Sequence, residues 1–207
     1  MAKKKPTAKS AAKKPVRKTA EATSSNIYEG MVPLALLRDK VIYRHVVSLL
    51  VDNETGILAR VVGMIAGRGY NIESLTVAEV DRERQVSRIN ITASGTHQVI
   101  EQLKTQLGRL VPVHVVRDLT DDSPSVEREL ALVKVAGVGD KRVEALRIGD
   151  IFRANVVDSG IQSFVFEVVG NTEKLDAFID LMKPLGLVEV SRTGVVAVSR
   201  GMLGIEG

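Results

Sequence analysis

Two short stretches carry the side chains best suited to hold a small charged molecule: Asn53-Glu54-Thr55-Gly56-Ile57-Leu58 and Asn71-Ile72. The first lies between an apolar run and apolar residues at helical spacing, so it falls on a helix start. Unpaired N–H groups and the positive dipole end there suit a carboxylate. Gly56 has no Cβ to keep a ligand off the backbone. The Asn53 and Asn71 carboxamides can each donate to a carboxylate or accept from an ammonium group. With apolar contact from Ile57, Leu58 and Ile72, the set suits the charged end of an amino acid. The same residues also make an ordinary turn and helix cap. Residue type alone leaves both readings open.

Other chemistries find less support. The chain has no cysteine, which excludes disulfides, thiolate zinc sites, iron–sulfur clusters and cysteine nucleophiles. Its three histidines, at 45, 97 and 114, leave little for metal ligation or imidazole catalysis. His45 sits in a strand and His97 beside a helix start; both read as structural, because a metal site needs convergent ligands. Asp121-Asp122 lies in a linker with nothing to orient it. Gly137-Val138-Gly139 precedes a helix, but Arg142 leaves the dinucleotide fingerprint incomplete. Neither a GxxxxGK[ST] phosphate loop nor a GxSxG elbow occurs. Nothing assembles a nucleophile, a base and an oxyanion hole, so the expectation is no catalytic and no metal-ligating residue.

The elements that must position these residues follow from hydrophobic period. Residues 41–51 form a β-branched run dense enough for a buried central strand. Ile57, Leu58, Val61, Val62 and Ile65 recur at helical spacing, with Gly67 and Gly69 as a cap. Strands are predicted at 72–80 and 86–94 around a charged turn at 81–84. A helix from Thr96 carries Val99, Ile100, Leu103, Leu107 and Leu110, and Val111 to Leu119 closes the unit as a strand. That order, βαββαβ, is the ferredoxin-like arrangement.

After a polar, proline-punctuated linker the order repeats. Residues 129–136 read as a strand, and Gly139 to Phe152 as a weaker helix carrying Val143, Leu146 and Ile151. A hairpin turns around Ser159-Gly160. A helix from Thr172 carries Leu175, Phe178, Ile179 and Met182 until Pro184 ends it. The expected class is α+β, with two ferredoxin-like domains at 41–120 and 127–201. The remaining segments are a basic tail and lead-in at 1–40, a linker at 121–126 and a tail at 202–207.

The charge is unevenly placed. Residues 1–25 hold eight of the 29 basic residues and one of the 25 acidic ones, which leaves residues 26–207 at −3. With almost nothing apolar to bury, the Lys/Ala-rich tail is expected to be disordered. No stretch approaches the roughly 18 uncharged apolar residues of a membrane-spanning helix, so no membrane partner is expected.

As a whole, HVVSLLVDNETGILARVVGMIAGRGYNIESLTVAEV resembles the N-terminal ACT domain of the small regulatory subunit of acetolactate synthase (acetohydroxyacid synthase). The likeness continues through SRINITASG, PSVERELALVKV and EVSRTGVVAVSRG, over about residues 41–201. It implies a regulatory partner for a large catalytic subunit that carries thiamine diphosphate, Mg2+ and FAD, with no cofactor on this chain. The holoenzyme would condense two pyruvates to 2-acetolactate, or pyruvate with 2-oxobutyrate, in branched-chain amino acid synthesis. The small subunit would raise that activity and confer feedback inhibition by valine or another branched-chain amino acid. The resemblance further implies a homodimer through the ACT domain, the loop Asn53–Leu58 of one protomer facing Asn71-Ile72 of its neighbour. Asp52 departs from the family, which often carries Glu there. The single ACT copy resembles the bacterial form, hence an expected cytoplasmic place. A nucleic-acid-binding protein with a basic arm is the reading from another class; the third strands, VSRINIT and SFVFEV, lack the RNA-binding signature such a protein would carry. A sensor serving a different enzyme is a third reading.

Overall fold

The structure is a computed structural model that describes residues 41–122, 124–202 and 204–206. The expectation for the basic tail lies outside the described residues. The first unit runs β1 (Tyr43–Asp52), α1 (Ile57–Ala66), β2 (Ile72–Asp81), β3 (Val86–Gly95), α2 (His97–Leu107) and β4 (Val113–Asp118). Its four strands form an antiparallel sheet in the order β2-β3-β1-β4. Val47, Leu49 and Val51 of β1 and Ile89, Ile91 and Ala93 of β3 face the helices. There they pack with Ile57, Val61 and Ile65 of α1 and Ile100, Leu103 and Leu107 of α2. Thr96 caps α2 by accepting from the Val99 amide, and Leu110 packs on this core from beyond the helix end.

The second unit repeats the order with β5 (Ser125–Val135), α3 (Asp140–Phe152), β6 (Asn155–Ser159), β7 (Phe164–Gly170), α4 (Thr172–Gly186) and β8 (Leu187–Arg192). The sheet order is β6-β7-β5-β8, and Phe164, Phe166, Phe178, Leu175 and Met182 dominate its core. The α+β class and two ferredoxin-like units stand as expected.

A further strand, β9 (Val196–Ser199), has no counterpart in the sequence reading. It pairs with the first four residues of β5, Ser125 to Arg128. This ribbon covers the face of the first sheet that the helices leave open, where Val46 and Leu119 meet Val195 and Ala197. That cover is why His45 through Val51 are all buried: β1 has protein on both faces.

Three expectations change. The linker is shorter than 121–126, because Ser125 and Val126 already belong to β5. On α3 the buried residues are Ala145, Ile148 and Gly149, while Val143 and Ile151 are each about two-thirds exposed. Pro184 does not end α4, which continues to Gly186. A proline there keeps helical φ and forfeits one hydrogen bond to the carbonyl of exposed Asp180, which water can satisfy.

Candidate effector site

The loop from Asn53 to Gly56 joins β1 to α1 and is braced from β2 and β3. The Asn53 amide donates to the Gln85 carbonyl at 2.7 Å, and its Nδ2 donates to Glu79 Oε1 at 3.2 Å. Glu54 points away and pairs with Arg60 at 2.9 Å. Gly56 is the N-cap at φ +87, a left-handed conformation that favours glycine, and open space surrounds the position a Cβ would take. No side chain among the described residues caps α1. Among the described residues, the Leu58 and Ala59 amides find no backbone acceptor. Thr55 therefore does not act as a cap, and two donors face outward beside Gly56. Ile57 is buried in the core, so only Leu58, 39% exposed, offers apolar contact on this side.

Asn71 is exposed where β2 begins, and Ile72 is half-buried against the core. The register separates these residues from the loop. Ile72 is level with Ala93 and His45, whereas Asp81 is level with Val86 and Asp52. From His45 to Asp52 is about 23 Å at ~3.3 Å per residue. One chain thus places Asn53–Leu58 at one end of the sheet and Asn71-Ile72 at the other. Between them β2 forms a ten-residue edge, with Val77 and Val80 about half-exposed.

A second cluster lies at the far end of β1. His45 Nδ1 lies 2.7 Å from Asp118 Oδ2, and both residues are buried. Asp118 Oδ1 accepts from the Thr120 amide at 2.9 Å, and His97 Nδ1 lies 3.3 Å from Asp121. The hydrogen bond to Asp118 raises the His45 pKa, against burial. Burial pushes Asp118 up, and the His45 and Thr120 hydrogen bonds more than offset it, so its pKa is lowered. Asp121 is oriented after all, by the turn that follows β4. Ligand atoms of His45, Asp118 and Asp121 lie within 4.8 Å of one another; Asp118 engages His45 Nδ1, while His45 Nε2 is buried with no partner among the described residues. Sequence reasoning missed this pair, whose partners are 73 residues apart; a histidine inside an apolar strand was its only signal.

The first βαββαβ unit, with open amide donors at its earliest helix, has the architecture of an ACT-type regulatory domain. Residues 47–115 match a family model described as an acetohydroxyacid synthase small subunit-like ACT domain. Residues 128–201 match a second, described as the small subunit of acetolactate synthase. The acetolactate synthase small subunit of Aquifex aeolicus is 46% identical over 80% of this chain and 86% of its own length. That of Haemophilus influenzae is 43% identical over 76% of this chain and 96% of its own. The crystal structure of the small subunit from Thermotoga maritima superposes with a TM-score of 0.70 at 37% identity, covering 78% of this chain and 99% of that one. The chain belongs to the family of acetolactate synthase small, regulatory subunits. Membership implies a catalytic large subunit as partner. No helix among the described residues is long and apolar enough to cross a membrane.

Proposed function

We propose that this chain activates the large subunit of acetolactate synthase and makes it inhibitable by valine or another branched-chain amino acid. The large subunit would hold thiamine diphosphate, Mg2+ and FAD. It would release CO2 as it joins two pyruvates into 2-acetolactate, or pyruvate and 2-oxobutyrate into 2-aceto-2-hydroxybutyrate. The effector would sit at the seam of a homodimer, its carboxylate on the Leu58 and Ala59 amides beside Gly56 and its ammonium group on the partner's Asn71. Ile72 and Leu58 would take the aliphatic side chain.

The observation that carries this reading is the strand register. Asn71 and Gly56 lie at opposite ends of β2 in one chain. An antiparallel β2–β2 pairing about a twofold axis would bring the start of one β2 to the end of the other, next to Asn53 and Glu79. Unpaired ten-residue edges with exposed valines are rarely left open, because they template association. The effector needs only to bind one state of the holoenzyme better, by about 1–3 kcal/mol.

Calorimetric titration with valine, leucine and isoleucine tests the site, and discrimination among them should be modest, since one methylene is worth only about 1–3 kcal/mol. Asn71→Ala and Gly56→Asp should leave activation of the large subunit largely intact and abolish feedback inhibition. Variants that stay fully valine-sensitive would refute the assignment.

A further inference from the structure

The open face of the first sheet holds the second unit through a run of polar side chains that begins two residues after Ile72. Ser74 Oγ accepts from the Val195 amide at 3.3 Å and donates to Thr92 Oγ1 at 2.9 Å. Thr76 Oγ1 donates to the Val195 carbonyl at 3.3 Å and accepts from Asn90 Nδ2 at 3.2 Å. Both backbone groups of Val195 are therefore held by hydroxyls of β2. Arg88 on β3 donates from a terminal guanidinium nitrogen to the Ala197 carbonyl at 3.0 Å and from Nε to Ser48 Oγ at 2.8 Å. Ser48 in turn donates to Asn90 Oδ1 at 2.8 Å, which closes the network. Arg88 is half-buried and meets no carboxylate among the described residues, and burial lowers its pKa.

The approach is close. Gly194 has φ +82, and a Cβ there would stand 3.2 Å from both Ser74 Cβ and Thr76 Cγ2. On its other side the same segment is tied into the second unit. The Thr193 amide donates to the Leu130 carbonyl at 3.0 Å, and Arg192 clasps buried Glu129 through two bonds of 2.8 and 2.6 Å. A bulge between Ile72 and Ser74 marks the start of β2, at the junction between the effector residues and these hydroxyls. Bulges let a strand re-aim side chains locally.

We propose that Ser74, Thr76 and Arg88 are coupling residues: effector bound at Asn71-Ile72 re-sets the start of β2, and these side chains pass the change to the Gly194–Ala197 segment and so to the second unit. This deepens the effector reading above and rests on it. The hydroxyls bond on one side to the Val195 main chain and on the other to Thr92 and Asn90 of β3, so a shift of β2 by a fraction of an ångström breaks or remakes several bonds together. Coupling needs such a packed element with two arrangements, biased by both sites.

The test uses full-length chain and reconstituted holoenzyme. Thr76→Val keeps the side-chain shape and deletes the hydroxyl; Thr76→Ser keeps the hydroxyl. Two quantities are read for each: L-valine affinity by calorimetry, and inhibition of acetolactate formation by L-valine. Thr76→Val should bind L-valine within about threefold of the natural protein, while the inhibitory factor, ordinarily about 5- to 150-fold for such couplings, falls at least fivefold. Thr76→Ser should restore it. A Thr76→Val subunit that both binds and inhibits normally would overturn the coupling role and leave the effector site standing. Loss of binding and inhibition together, with normal folding, would also overturn it, by making Thr76 a binding residue. If the natural protein binds none of L-valine, L-leucine and L-isoleucine, the effector reading falls and this inference with it.

Discussion

His45 and Asp118 form a buried pair that titrates in opposite directions, and its pH dependence follows from the two signs. The raised His45 pKa means that its contribution is fully present below about pH 6.5, the unfolded value. That part is lost as pH rises through the higher folded value. The lowered Asp118 pKa contributes above its unfolded value near 4 and is lost as pH falls through the depressed one. The pair should therefore stabilise most between about pH 4 and 6.5. His45→Leu, which strands a buried carboxylate, should cost about 3–5 kcal/mol in that window. The gap to the natural protein, read by urea unfolding at several pH values, should narrow above the raised His45 value; a pH-independent gap would refute the ionic account. At this scale the sequence was informative where chemistry lies in local order. Asn53, Gly56 and Asn71 stood out because turn and helix-start chemistry is written in consecutive residues. The brace from Glu79 to Asn53 and the clasp of Asp118 on His45 depend on strand register, which no local pattern encodes.

Helix α3 shows how an element can mislead. Its large aliphatics, Val143, Leu146 and Ile151, imply a buried face, but the surface turned inward is Ala145, Ile148 and Gly149. The reason is the aromatic core beneath. Phe166 lies so close that a Cβ on Gly149 would come within 2.7 Å of its ring, so at that position the helix meets the sheet through a glycine. Gly149→Ala should therefore destabilise the protein by about 1–3 kcal/mol through overpacking, although alanine is the better helix former. Val143→Ser at the exposed position should stay within roughly ±0.5 kcal/mol. Chemical denaturation of both variants checks the assignment, and the opposite ranking would put the helix in the wrong rotation. The strands were far more legible. β1, β2 and β3 fell within two residues of their predicted bounds, since alternation and turn residues agreed there. β9 escaped because its four residues pair only with the outer part of β5, an association set by the meeting of the two units.

At the scale of the molecule, the two units share β5 as a spine. Its first residues lie in the ribbon on the first sheet and its later ones in the centre of the second sheet. Repeated element order announced two similar halves; their mutual contact was not announced, because it uses hydroxyls and main-chain groups spread over both units. On the proposed reading the edge strand β2 would carry three tasks along ten residues: effector contacts at its start, the observed grip on Val195 in its middle, and an edge, open among the described residues, for a second copy. That arrangement suits a regulator, in which a ligand at a seam is felt at a distance.

The central claim, that each effector site takes its loop from one protomer and Asn71 from the other, is tested by complementation. Gly56→Asp and Asn71→Ala homodimers should each fail to bind L-valine. A heterodimer isolated with one subunit of each kind keeps one site with both natural halves. Calorimetry should return half the natural stoichiometry at natural affinity. A heterodimer as silent as its parents would mean that no site combines the loop of one protomer with Asn71 of the other, and would contradict the account.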